Sequence, residues 1–216
     1  MAMFLSAMVG CAPALSTRTA GVTIVPSRIA VGPAMVSVFE FDRSGGLAQR
    51  ADWTSAAAQN VDDAIAARVA ASGGRTFVPA DVAHTDVSYG DFRRWSSGAL
   101  QEIARQLDGT RPSARRSVSE WRYPQSLSTW RAALAADFVV AVLFVDAYEA
   151  AAQATPAAER YRAAQTGIAC AVDLGDGRIV WCDSAREAFG DLRTPVDARG
   201  AVATIAAELW PKGERP

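Results

Sequence analysis

Eight apolar residues follow one another from Phe138 to Val145, closed at either end by Asp137 and Asp146. The run is too short to cross a bilayer as a helix. It is rich in β-branched and aromatic side chains, which predicts a strand covered on both faces. Two further runs, 168–173 and 178–183, flank Leu174-Gly175-Asp176-Gly177 and predict a hairpin. Upstream, 23–25, 28–31 and 35–41 are strand-like, with Pro26 and Pro33 between them. Proline supplies no ladder donor, so an edge strand or a broken strand is expected there.

Elsewhere the period changes from two to between three and four. Trp53, Ala57, Val61, Ile65 and Val69 recur four apart with Ala64 beside them, the apolar face of a helix that Ser72-Gly73-Gly74 stops. The short run from Thr76 to Pro79 then reads as a strand, and strand–helix–strand order predicts a crossover unit. Asp91 suits the cap of a second helix carrying Phe92, Trp95, Ala99, Leu100, Ile103 and Leu107. Ser128 suits the cap of a short third helix through Trp130 and Leu134. Thr194-Pro195-Val196-Asp197 carries an N-cap, a first-turn proline and a capping-box acid. The buried face of that last helix is Ala198, Val202, Ile205, Ala206 and Leu209. Residues 146–164, rich in alanine and broken by Pro156, are expected to form a helical or mobile insertion. The pattern predicts an α/β fold, a mixed β-sheet with helices packed on it, as a single domain over 23–212.

Composition narrows what such a domain does. The chain has 216 residues and a formal net charge of −1, which argues against general nucleic-acid binding. No apolar run reaches the roughly 18 to 20 residues of a spanning helix. With only Cys11, Cys170, Cys182 and the sole histidine, His84, a metal site built on a His/Cys cluster is poorly supported. No Walker or dinucleotide-binding motif is present, and no cofactor is expected. His84 sits in a polar segment, and no Gly-x-Ser-x-Gly elbow accompanies it. Asp137, Asp146, Asp173 and Asp183 read as solvated strand-end acids rather than an acid/base pair. An enzyme is therefore not expected.

The N-terminus offers a cellular address. Residues 1–10 form a short apolar segment ending in small residues, similar to a secretory signal. Met8-Val9-Gly10-Cys11 resembles a bacterial lipobox, which makes Cys11 the lipidated residue and 11–22 a tether. No Lys or Arg precedes the apolar stretch, so the alternative is a buried cysteine after a hydrophobic strand. Acyl chains would anchor the domain without spanning the membrane. Ala12 resembles the residue that sends lipoproteins to the outer membrane, implying a place on its periplasmic face.

Two constellations are candidates for sites. If the hairpin pairs around Asp176 with Gly177 left-handed, Cys170 stands opposite Cys182, with Cβ atoms roughly 4.5 to 5.5 Å apart. An exported protein could form that disulfide, whereas a cytosolic one would keep two packed thiols. Arg115, Arg116 and Arg122 lie near Trp121 and Tyr123, a combination able to grip an anionic partner. The competing reading is a solvated loop whose tryptophan tucks into the core.

The Trp53-led helix, the sequence Ala135-Ala136-Asp137-Phe138-Val139-Val140, the return strand Gly177-Arg178-Ile179-Val180-Trp181 and the last helix together resemble small bacterial envelope lipoproteins. These include CsgG-like and TolB-N-terminal-like α/β domains and auxiliary lipoproteins of ABC-type transport systems. The resemblance implies a non-catalytic accessory or scaffold in an envelope assembly, secretion or transport complex. Its partners would be the membrane, through the lipid, and an envelope protein, with self-association left open. Segments 108–126 and 146–164 lack the alternating strands of about 10 residues that a barrel wall needs. The alternative functions are an exported binding protein for a small ligand or glycan, and then an enzyme.

Overall fold

The computed structural model describes residues 16–18, 28–41, 46–71, 76–77, 89–107, 118–149, 165–186, 189–205 and 207. The 138–145 run is the middle of a longer strand, β6 (Phe138–Glu149). The other strands are β1 (Ser16–Arg18), β2 (Ile29–Val31), β3 (Met35–Phe41), β4 (Leu47–Gln49), β5 (Thr76–Phe77), β7 (Thr166–Asp173) and β8 (Ile179–Arg186). The helices are α1 (Ala51–Ala71), α2 (Tyr89–Leu107), α3 (Ser128–Ala133) and α4 (Pro195–Ile205).

All eight strands join one mixed sheet. β6, β7 and β8 form an antiparallel meander, and β1 closes it against β8. On its other side β6 pairs in parallel with β2 and then with β3. Val31 faces Val140 and Met35 faces Leu143, so four steps on one side match three on the other. β2 and β3 are thus a single strand interrupted by a bulge at Gly32-Pro33-Ala34. A proline is tolerated there because no ladder donor is required. Of the two expectations, an edge strand or a broken one, the structure shows the broken one. The broken strand lies inside the sheet, with β5 beside β2 and β4 beside β3. Helix α1 completes the bulge, since Asp62 Oδ1 accepts the Ala34 N–H at 2.7 Å and Thr54 Oγ1 accepts the Val38 N–H at 3.0 Å. Burial holds the Asp62 carboxyl above its usual range.

Side-chain alternation along β6 explains its unbroken hydrophobicity. Val140, Val142 and Phe144 pack on Val61 and Ile65 of α1 and on Val202 and Ile205 of α4. Val139, Ala141 and Leu143 pack against Phe92, Leu100 and Ile103 of α2 and Trp130 of α3. The domain is a three-layer α/β sandwich, and its centre is the strand that the sequence marks most strongly. The faces of α1 and α2 agree with their spacing, although Trp53, Trp95 and Leu107 are only partly buried.

Some boundaries differ from the sequence reading. Ser16–Arg18, inside the stretch expected to be a loose tether, pairs with β8. β6 runs four residues beyond the apolar run, so 146–149 is strand rather than insertion. Ser128 is the first residue of α3 and not its cap. In α4, Thr194 Oγ1 accepts the Asp197 N–H as in a capping box, at 3.3 Å. The Asp197 carboxylate is instead turned to the Asp191 N–H, at 2.9 Å. The runs at 23–25 and 82–88, Ala206, Leu209 and residues 150–164 lie outside the described residues.

Candidate functional site

The parity of β6 does not stop at Phe144. Asp146 and Tyr148 continue on the α1 and α4 face, at the end of the sheet where β3, β6 and β8 finish. Asp146 is completely buried, contrary to the solvated role expected for it. Three donors converge on its carboxyl group: the Ala147 N–H at 2.8 Å, Gln165 Nε2 at 2.7 Å and the Tyr148 hydroxyl. Burial raises its pKa to about 6 against the pull of those donors. Burial and the adjacent Asp146 also hold the Tyr148 phenol well above its ordinary range.

The same groups fasten the chain that leads into α4. Gln165 Nε2 donates to the Gly190 carbonyl at 3.1 Å, and the Leu192 N–H donates to Tyr148 Oη at 2.8 Å. Gly190 is left-handed, with φ of 64°. Beside this network, Trp53 is clamped between two guanidinium groups. Arg50 lies 4.4 Å and Arg193 4.3 Å from its ring centre, and Arg193 also covers Tyr148. Carboxylates hold both arginines, Glu40 and Asp52 for Arg50 and Asp191 for Arg193. The arrangement contains acceptors, donors and stacked cations, but no nucleophile placed against a base. Its hydrogen bonds fasten the segment around Gly190 and Leu192 to the end of β6.

The other sequence candidates are distributed elsewhere. Cys170 and Cys182 are directly paired in β7 and β8 with Cα atoms 4.1 Å apart, and are joined as a disulfide on the α2 face. Gly177 has φ of 75° in the turn, where the Asp173 N–H donates to Arg178 O, and a register shift between Val172 and Ala171 then brings Cys170 opposite Cys182. Trp121, Arg122 and Tyr123 lie along the start of β8, where the Ile179 N–H donates to Trp121 O and the Tyr123 N–H to Gly177 O, both at 2.9 Å. Tyr123 is only 3% exposed and meets Trp95 and Phe92 edge-on. Its ring is part of the core rather than a surface for a partner, because the α2 face would otherwise be open. Trp121 is half-buried, while Arg122 is exposed and lies 3.7 Å from Asp176. The rings of Phe92, Trp95, Tyr123 and Trp130 pack on one another with centroids 5.0 to 5.9 Å apart. Arg115, Arg116, Cys11 and His84 lie outside the described residues.

The remaining strand acids follow three different patterns. Asp137 is held by Arg131 at 2.8 Å and Arg28 at 3.3 Å, which together lower its pKa. Asp173 caps the hairpin turn by accepting the Gly175 N–H at 2.6 Å. Asp183 is buried within β8, which continues three residues past it to Arg186. Among the described residues no group of three or more His, Cys, Asp or Glu side chains could hold a metal ion. No helix among them is long and apolar enough to cross a membrane.

No family model matches the chain, and no curated protein matches it. Solved structures give weak likenesses. A variant of the PelC dodecamer from Paraburkholderia phytofirmans is 10% identical, with a TM-score of 0.43 over 92% of this chain and 99% of that one. A second PelC dodecamer from the same organism is 12% identical, with a TM-score of 0.41 over 91% and 97%. Lipoprotein GNA1162 from Neisseria meningitidis is 14% identical, with a TM-score of 0.29 over 74% and 81%. At these scores the likenesses carry no argument about what this chain does.

Proposed function

We propose that the chain is a membrane-anchored bacterial lipoprotein, a non-catalytic accessory or scaffold of an envelope assembly, secretion or transport complex. The finer resemblance to CsgG-like, TolB-N-terminal-like and ABC-transport auxiliary lipoproteins belongs to this reading. So does a place on the periplasmic face of the outer membrane. The observation that carries the proposal is Met8-Val9-Gly10-Cys11 lying five residues ahead of β1. A short link of this kind suits a folded domain held by acyl chains. The test is the intact mass of the N-terminal peptide from protein expressed in a bacterial host with its upstream reading frame. An acylated peptide beginning at Cys11 is expected; an unmodified peptide retaining residues 1–10 overturns the reading.

Export would keep the Cys170–Cys182 pair oxidised, and lipidation would consume the only other thiol. The bond closes a loop between residues 12 apart. Replacing both cysteines with alanine is expected to remove about 2–4 kcal/mol of stability. That corresponds to a melting temperature roughly 5–15 °C lower for a chain of this size. Thermal denaturation of the exported protein and of the double variant checks it. Equal melting temperatures, with free thiols at both positions by mass spectrometry, would leave the pair as packed cysteines.

A further inference from the structure

We propose that the sheet end carrying Leu47, Trp53, Tyr148 and Val196 seats directly on the phospholipid headgroup layer to which Cys11 is anchored. The inference rests on the lipoprotein reading above. It begins with where the tether arrives. β1 runs antiparallel to β8 with Ser16 opposite Ala185 and Arg18 opposite Asp183. Its first residue therefore lies at the end where β3, β6 and β8 finish. Five residues from Cys11 to Ser16 span at most about 18 Å. The hairpin at the far end stands a further ~20 Å away along β8, at roughly 3.3 Å per residue. The tether can bring only the near end close to the lipid without laying the domain on its side.

The near end has a surface suited to that position. Leu47 and Val196 are the two large apolar side chains that stand exposed among the described residues, at 57% and 68%. Leu47 opens β4 opposite Phe41, the last residue of β3. Val196 is in the first turn of α4, just after the chain fastened by Gln165 and Tyr148. Arg50, Trp53, Tyr148 and Arg193, stacked as described, belong to the same end of the sheet. Aromatic rings with a polar tip and arginines with apolar stems favour the membrane–water boundary, where one part is dry and the other wet. Arg50 and Arg193 are matched by Glu40, Asp52 and Asp191, so these two arginines offer no excess positive charge to anionic lipid. Seating would come from apolar side chains and is expected to be insensitive to salt.

The test places the photo-crosslinker p-benzoylphenylalanine at Leu47, Val196 or Gln125 in the full chain held on phosphatidylcholine vesicles. Gln125 is exposed near the hairpin, two residues after Tyr123. Lipid adducts counted by mass spectrometry are expected to be at least fivefold more abundant at positions 47 and 196 than at 125, in low and high salt alike. Equal yields at all three, more at 125, or none at 47 and 196 overturns the seat. To separate this from a failure of the lipoprotein reading, a second sample couples Cys11 chemically to a maleimide-bearing phospholipid. Unmodified Cys11 from the bacterial host with the same adduct pattern in the coupled sample would overturn the natural anchor and keep the geometry.

Discussion

Gly167→Val will prevent the folded domain from accumulating, and Gly167→Ala will lower its melting temperature by roughly 3–10 °C, from about 1–3 kcal/mol of overpacking. Gly167 of β7 pairs with Phe144 of β6, and a Cβ there would lie 2.7 Å from the Phe144 ring. It would also lie 2.8 Å from Ile205 and 2.8 Å from Phe189. None of the three can withdraw easily, since all are buried and Phe144 meets Phe189 edge-on at 5.4 Å. The missing side chain is what lets α4 and the 189–193 segment approach the sheet. Thermal or urea unfolding checks the alanine variant, and soluble yield checks the valine variant. A Gly167→Ala protein as stable as the parent would mean the α4 layer shifts freely, contrary to close packing.

Asp146 gives the second large effect, and its sign depends on the substitution. Its folded pKa of about 6 stands above the ordinary 3.8, so the native state holds the proton more tightly than the unfolded chain. The stability it contributes is greatest below pH 3.8 and falls as pH rises through 6, a difference of about 3 kcal/mol. Asp146→Asn has no charge to bury and retains an oxygen for the Ala147 and Gln165 donors. Its amide can donate to Tyr148 Oη while that hydroxyl turns to Gly190 O, now 3.2 Å away. The variant should match the parent at pH 4 and exceed it by up to ~3 kcal/mol at pH 7. Asp146→Ala instead strips three buried donors of their acceptor and should lose ~3–5 kcal/mol. Urea unfolding of the three proteins at pH 4, 5, 6 and 7 gives the comparison. Parallel stability curves for parent and Asp146→Asn would show that Asp146 does not titrate in this range.

The layers of the fold were legible in the sequence because burial on one stripe or on both faces writes itself into periodicity. The α1 spacing from Ala57 to Val69 and the unbroken apolar run within β6 already point to helices packed on a covered sheet. The glycine turn was legible for a similar reason, but the cysteine register only in part: beside the turn Asp173 faces Arg178, and a register shift between Val172 and Ala171 is what brings Cys170 opposite Cys182. Three features were not. Pro26 and Pro33 predict an edge or a broken strand, and what decides for a broken strand inside the sheet is a bulge at which Asp62 of α1 takes the Ala34 amide, a long-range contact with no local signal. Asp146 looked like a boundary because acids usually bound strands. The available clue was that Val142, Phe144, Asp146 and Tyr148 keep the same parity, but that matters only once β3 is known to pair beyond Val145. Tyr123 looked like surface beside three arginines, and only the packing of α2 shows that it is enclosed.

The bulged strand also shapes how the chain reaches this structure. β7 and β8 pair across a short turn, and β6 joins β7 at separations of 21 to 35 positions, so the meander can zip outward from its hairpin. Its other side must wait for Ile29, which pairs with Phe138 across 109 positions. High contact order of this kind slows folding. During that interval the most hydrophobic strand of the chain presents an unpaired edge, the type of segment that self-associates. The connectivity therefore leaves β6 the strand most open to self-association until the N-terminal strand arrives.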